Sequence, residues 1–312
     1  MEQEIRRTEF TYLSSDQKTQ IRAVRYEPAG EPCGIVQLTH GMVEHMDRYD
    51  AFAKYLCRNG FVVAGQDHLG HGASVTGKEK WGYFGKAEHP SDLLVEDMQL
   101  LREHLQKEYP ELPYMMLGHS MGSYMLRKYL SVHGEGVAKA VVMGTGDVSR
   151  VQAGLGLFLI RVLSAIHGDE YRSKMIQQMT YSKSYRKFDL TGEHPENSWL
   201  TKDTGIVKAY YADPRCTFLF TLNAYKGLVE AAAYDAKPEN IRKIPSGIRI
   251  LLASGADDPV GDLSAGVKRT YEKFKAAGLN VQMKLYPGDR HEILNETDRG
   301  QVWKDMLAFF RS

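Results

Sequence analysis

Apolar residues fall along this chain in two rhythms that take turns. Short, mostly apolar runs over 35–39, 61–64, 114–117, 140–143, 248–253 and 281–285 suit strands buried in a sheet. Between them the spacing becomes helical. Tyr49, Phe52, Ala53 and Leu56 share one face that stops at Asn59-Gly60, and Leu94, Met98, Leu101 and Leu105 share another in a helix starting near Ser91 or Asp92. Met121, Met125 and Tyr129 form a third face, a further helix covers 263–277, and Val302, Met306 and Phe309 line a last one. At the start, 9–14 and 20–27 read as an antiparallel pair. This alternation predicts an α/β fold, a mostly parallel sheet with helices on both faces.

The alternation breaks between about 149 and 225, where long polar spans carry Pro195 and Pro214. An inserted lobe over 149–225 is predicted there, leaving 1–148 and 226–312 as the core. The most apolar stretch of the lobe is GLGLFLIRVLSAI, 154–166. It is shorter than the roughly 18 apolar residues that cross a bilayer, and no other window reaches that length. It reads equally as a cap helix packed on the core or as one that lines an acyl channel or touches lipid.

Composition narrows the class. Lys plus Arg number 40 against 39 for Asp plus Glu, which gives no electrostatic case for nucleic acid or an anionic membrane. The three cysteines, Cys33, Cys57 and Cys216, are scattered and fit reduced thiols better than a disulfide frame or a zinc site. The N-terminus, MEQEIRRTEF, lacks the apolar core of a secretory signal. A soluble cytoplasmic protein is expected; the oligomeric state is not readable.

The chemistry gathers at PYMMLGHSMG, 113–122. A buried strand runs into Gly118, and a helix starts just after Ser120. Turning from one to the other within two residues strains the intervening backbone, and Gly118 and Gly122 make the turn sterically feasible. This is the context of a G-x-S-x-G nucleophile elbow; the rival reading is a serine capping a helix beside packing glycines. A serine hydroxyl needs a base, and the base needs an orienting acid. On a doubly wound sheet those partners follow later strands, acid first. The run 248–253 leads into SGADDPVGD and 281–285 into YPGDRHEILNE, which nominates an aspartate of the first loop and His291. Oxyanion donors are expected from Met121 N–H, at the helix start, and by position from Met42 N–H in THGMVEHMDRY. His68 and His71 lack the company that would complete a metal set and read as loop-ordering hydrogen bonders. His119 reads as packing beneath the elbow.

The segments THGMVEHMDRY, DHLGHGAS, GHSMG, GADDPV and RHEILNE, in this order, resemble the monoacylglycerol lipase and lysophospholipase group of serine α/β-hydrolases, also labelled serine aminopeptidase-like. SWLTKDTGIVKAYYADPRCTF in the lobe resembles it too. The resemblance implies an α/β-hydrolase fold: an eight-stranded core with a helical cap inserted after the sixth strand, and a Ser, Asp, His triad. Counting G-x-x-D from Gly255 makes the acid Asp258 and not Asp257. It also implies that Glu44 and Arg48 organise the polar end of a substrate pocket; without it, the two read as well as a surface ion pair. At Met42-Val43 the chain departs from the group, where small residues are common.

The resulting expectation is a serine carboxylic-ester hydrolase acting on a small-molecule acyl ester through an acyl-enzyme, with no metal or organic cofactor. A peptidase or amidase, or a ligand-binding protein on a hydrolase fold, are the rivals. THGMVEH lacks the glycine-proline-rich loop of proline iminopeptidase-like members, and no triad member is missing.

Overall fold

A computed structural model describes residues 5–181 and 183–312; residues 1–4 of the charged N-terminus lie outside the described residues. Its strands are β1 Arg6–Leu13, β2 Gln20–Glu27, β3 Gly34–Thr39, β4 Phe61–Gln66, β5 Tyr114–His119, β6 Val137–Met143, β7 Arg249–Gly255 and β8 Asn280–Tyr286. They make one eight-stranded sheet in the order β1-β2-β4-β3-β5-β6-β7-β8. β2 pairs antiparallel with both β1 and β4, and every other pairing is parallel. Strand order reverses between β3 and β5, and beyond the carboxyl ends at such a switch point an open α/β sheet offers a crevice. Most strands run one to three residues past these runs, because flanking residues such as Lys139, Gly255 and Asn280 still join the ladder.

The helices are α1 Asp50–Arg58, α2 Pro90–Glu108, α3 Met121–His133, α4 Arg150–His167, α5 Lys174–Thr180, α6 Thr204–Ala212, α7 Leu222–Asp235, α8 Pro238–Ile241, α9 Ala265–Ala276 and α10 Arg299–Arg311. Successive strand residues point to opposite faces, so the sheet feeds two cores. Val36, Val63, Met115 and Val141 meet Phe52 and Leu56 of α1 and Val302 and Met306 of α10. Ile35, Val62, Met116 and Val142 meet Leu94, Leu101, Met125, Tyr129 and Phe274 from α2, α3 and α9.

The cap is the excursion between β6 and α7, carrying α4, α5 and α6 joined by short 3-10 turns. A capping box starts α4: Ser149 Oγ accepts from Gln152 N–H while Gln152 Oε1 accepts from Ser149 N–H, each at 3.2 Å. Polar residues at both ends extend α4 beyond the 154–166 run to 18 residues. By length and composition it could cross a membrane, which corrects the expectation that no segment reaches that size. Only Ala153 and Ile160 are buried. Val151, Phe158 and Ile166 stand 72%, 66% and 68% exposed, so core packing accounts for one narrow face alone.

What fixes the site in this frame is how tightly α3 meets the sheet. A Cβ on Gly122 would lie less than 3.0 Å from the Thr39 and His40 carbonyls, and one on Gly118 less than 3.0 Å from Gly122 backbone. Only hydrogen fits at either place. Gly122→Ala should therefore cost about 1–3 kcal/mol by overpacking backbone that cannot yield. A thermal melt followed by circular dichroism should show the midpoint falling by several degrees; an unchanged midpoint would mean that α3 can back away from β3.

Candidate active site

Ser120 alone makes the turn from β5 to α3. Its backbone sits at φ +53°, ψ −120°, which a residue with a side chain seldom adopts and which costs on the order of 1–3 kcal/mol. Its N–H donates to the Met143 carbonyl at the end of β6, 2.9 Å away, so the next strand holds the strained turn in place. The residue is half-buried.

Asp258 follows β7 and His291 follows β8. Both are buried, at 0% and 1% exposure, and His291 Nδ1 lies 3.0 Å from each Asp258 oxygen. The carboxylate is itself oriented: Val260 N–H donates to Oδ1 at 2.9 Å and Ser254 Oγ–H to Oδ2 at 3.2 Å. Asp257 is only half-buried, and its backbone N–H donates to the Asp289 carbonyl. Of the two adjacent aspartates, Asp258 is the one against the imidazole. A Cβ on Gly144, beyond the end of β6, would lie 3.1 Å from His291 Cε1, so that strand end closes in on the same ring.

The loop after β3 comes down on the serine. A Cβ on Gly41 would lie 3.0 Å from Ser120 Cβ, so this loop touches the nucleophile's turn. Met42 follows Gly41 directly and Met121 follows Ser120, which places both predicted amides on backbone that frames Ser120. Val43 stands at φ +55°, in the left-handed region that a β-branched residue strongly disfavours. This explains physically why a small residue would suit the position.

Glu44 and Arg48 are not on the surface. Arg48 Nη1 donates to Glu44 Oε2 at 2.6 Å and to Glu292 Oε1 at 2.8 Å, and Nη2 donates to Glu292 Oε2 at 2.6 Å. Glu44 Oε1 also accepts from Gly41 N–H at 2.5 Å and Tyr49 Oη–H at 2.9 Å, and faces His119 Nδ1 at 3.2 Å. The pair thus anchors the loop after β3 to the residue next to His291. Burial would push both carboxyls up. The His119 hydrogen bond and the Arg48 charge overcome it for Glu44, and the Arg48 charge and hydrogen bonds do so for Glu292; both end below the ordinary carboxylate value. Burial lowers His119, but its bond to Glu44 outweighs that and leaves it raised. Its Nε2 reaches the His291 carbonyl at 3.2 Å, so both ring nitrogens face acceptors.

Three contributors escape a reading of the sequence. Glu292 meets Arg48 across 244 positions. Tyr210 of α6 lies under the Arg48 guanidinium at 4.8 Å. Trp199 of the cap stacks on His291. SWLTKD and RHEILNE mark the segments but not their contacts. His71 Nδ1 meets the Leu69 carbonyl of its own loop at 3.4 Å, as expected, but the expectation needs correction for His68: both rings pack around His40, with centroids 4.4 and 5.1 Å away. Neither ring nitrogen of His68 has a hydrogen-bond partner among the described residues. One group there has metal-ligand spacing, His45, Asp213 and Cys216, within 4.8 Å of one another. Asp213 is already paired with Arg215 at 2.8 Å, and burial pushes the Cys216 thiol up to about 12. An aspartate held by Arg215 beside a protonated thiol suits an ion pair better than a metal site.

The profile of the family described as serine aminopeptidase, S33, matches residues 30–298. The chain belongs to this family. Among relatives, the S33 chain is 26% identical over 289 residues to the monoacylglycerol lipase of Mycolicibacterium smegmatis, covering 92% of this chain and 91% of that one. It is 38% identical to Rattus norvegicus monoglyceride lipase over 99 residues, 31% of this chain and 30% of the other. Among solved structures, a thermostable carboxyl esterase from Bacillus coagulans in complex with glycerol superposes with a TM-score of 0.89 at 30% identity, over 98% of each chain. A lipase in an open form does so with a TM-score of 0.86 at 25% identity, over 97% of this chain and 98% of its own. These likenesses place the S33 chain in the monoacylglycerol lipase-like group of α/β-hydrolases.

The shared guanidinium sets a pH signature for this S33 protein. With Arg48 present, both glutamates sit below their unfolded value of about 4.3, so their stabilisation is full above it and lost as pH falls through the folded values. Arg48→Met removes the main opposition to burial for Glu292, which keeps only Asn295 Nδ2–H and the charge of His119, and leaves Glu44 its contacts with His119, Tyr49 and Gly41 N–H. Raised carboxyls stabilise below the unfolded value and lose that contribution as pH rises. The variant should lose about 3–5 kcal/mol at neutral pH. Urea midpoints taken from pH 5 to pH 8 should show the gap to wild type widening as pH rises; a constant gap would mean that the two carboxylates are not buried against each other.

Proposed function

We propose that the protein is a serine carboxylic-ester hydrolase that works through an acyl-enzyme on single-chain acyl esters, monoacylglycerol first. The observation that carries this reading is the buried His291–Asp258 pair, 3.0 Å apart, at the strand ends where Ser120 makes its strained turn. Ser120 Oγ attacks the ester carbonyl as His291 Nε2 takes its proton, and the Met42 and Met121 amides receive the oxyanion. His291 hands the proton to the leaving alcohol. It then takes one from water, whose oxygen attacks the acyl carbon, and returns it to Ser120 Oγ as the acid leaves. Asp258 keeps Nδ1–H in place and stabilises the imidazolium.

The Mycolicibacterium lipase and the glycerol-bound Bacillus esterase support the ester class and a small polyol leaving group. The apolar face of α4 supports a transient lipid contact through the cap. The description serine aminopeptidase keeps an amide substrate as the second reading.

Ser120→Ala should reduce turnover on the order of 10⁶-fold, because triad members act as a unit, and should abolish labelling by a fluorophosphonate. Labelling of wild type is the prior check, and an unlabelled wild type would favour a binding protein on this fold. Asp258→Asn should cost roughly 10⁴ by leaving the imidazole in the wrong tautomer, and Asp257→Asn far less; the reverse ranking would reassign the acid. Across monoacylglycerols, kcat/KM should rise about fourfold per added methylene until the channel ends, since each buries about 0.8 kcal/mol. Triacylglycerol should react poorly. A profile flat in chain length, or a peptide amide cleaved faster than every ester, would remove the proposed substrate class.

A further inference from the structure

Two aromatic rings lie close to His291. His119 lies 4.6 Å away between centroids at 42°, and Trp199 lies 5.1 Å away at 28°, near parallel. The two flanking rings come from different parts of the chain. His119 ends β5, whereas Trp199 belongs to the inserted cap, whose function-bearing surface is otherwise expected to be its substrate channel. We propose that Trp199 is a positioning residue for His291, an indole that the cap lays against the imidazole to hold its plane and stabilise it when it takes up the serine proton. This rests on the ester-hydrolase reading above.

Two observations support it beyond the stack. First, Trp199 is not on a free lid. His291 N–H donates to the Trp199 carbonyl at 3.4 Å and Glu292 N–H to the Leu200 carbonyl at 2.7 Å. Lys202 N–H donates to Glu296 Oε2 at 3.0 Å, Thr201 Oγ–H to the Asn295 carbonyl at 3.0 Å, and Lys202 Nζ to Asp289 Oδ1 at 2.7 Å. The Arg290 guanidinium donates to the Ser198 and Thr201 carbonyls. Trp199 sits in the middle of this lacing, and its ring also meets the Tyr185 ring at 5.5 Å. The indole is therefore fixed relative to the imidazole by the same backbone that carries it.

Second, charged groups surround His291. Asp258 favours the imidazolium from the Nδ1 edge. Close beside the ring, however, stands His119, both of whose nitrogens face acceptors, with Glu44 and Arg48 behind it and Glu292 next along the chain. The Arg48 guanidinium, and His119 when it is protonated, oppose a second positive charge, and Glu44 and Glu292 offset them. Tyr185 contributes a neutral phenol near Asp258, since burial raises it well above its ordinary value. Trp199 stacks on the imidazole, where the negative face of an indole attracts a cation without adding a formal charge.

The test compares wild type with Trp199→Phe and Trp199→Leu. The Cε1 proton of His291, assigned by its loss in His291→Gln, is titrated by NMR, and kcat/KM for a p-nitrophenyl ester is followed against pH. With the stack gone, the imidazolium is less stable. In the Leu variant the His291 midpoint and the acid limb of the profile should both move down by roughly half to one pH unit, and kcat should fall about 3- to 30-fold with KM little changed. The Phe variant should recover much of both. An indole that served only as packing would change thermal stability and leave the titration in place. The proposal is overturned if Leu titrates as wild type does, or if Phe is no closer to wild type than Leu. Should wild type turn over no ester at all, the hydrolase reading fails by itself, while the NMR titration still decides whether Trp199 stabilises the charged ring.

Discussion

Two buried carboxylates share one guanidinium, and the geometry around Ser120 hangs on that sharing. Glu44 belongs to the loop after β3 and Glu292 to the loop after β8, strands that lie four places apart in the sheet. Arg48 satisfies both, and Glu44 spends its remaining capacity on Gly41 N–H, Tyr49 and His119. A buried ion pair is weak evidence for stability, since desolvation can cancel the attraction. Its value here lies in connectivity. The loop that carries Met42 and the loop that carries His291 cannot move independently without stranding a charge.

Above that floor, the serine's turn depends on close backbone contact. Ser120 and Val43 both hold positive φ, one in each of the two loops that meet at the site. Strain of this kind persists only where neighbours leave no alternative. The contacts of Gly122 with Thr39 and His40, and the bond from Ser120 N–H to Met143, provide that enclosure from the strands on either side of β5. The sheet's order brings β3 and β6 to flank β5, so topology and local strain agree.

Most of the framework was legible from periodicity, because buried parallel strands write themselves as short apolar runs and amphipathic helices as i, i+4 faces. Ser120 was legible because only a strand, a strained residue and a helix in succession explain GHSMG. His291 was legible from its place after a late strand, while the choice of Asp258 over its neighbour came from resemblance. What stayed hidden was every contact made across the fold. Nothing in RHEILNE announces that Glu292 meets Arg48, and nothing in SWLTKD announces that its tryptophan lies on an imidazole. Such pairings depend on loops whose conformations follow from the assembled sheet. The length of α4 was hidden for another reason: a helix continues through polar residues that interrupt an apolar run, so the run understates the element.

The lacing between 198–202 and 289–296 bears on how proteins of this architecture can diversify. A cap inserted between β6 and α7 looks like an interchangeable module, joined to the core at two points of the chain. Its backbone, however, completes the hydrogen bonding of a loop that belongs to the core, some ninety positions further on. A chimera that imported a foreign cap while keeping the native loop after β8 would leave the carbonyls of one and the amides of the other mismatched. The heritable unit is therefore discontinuous: the strap and the loop have to travel together.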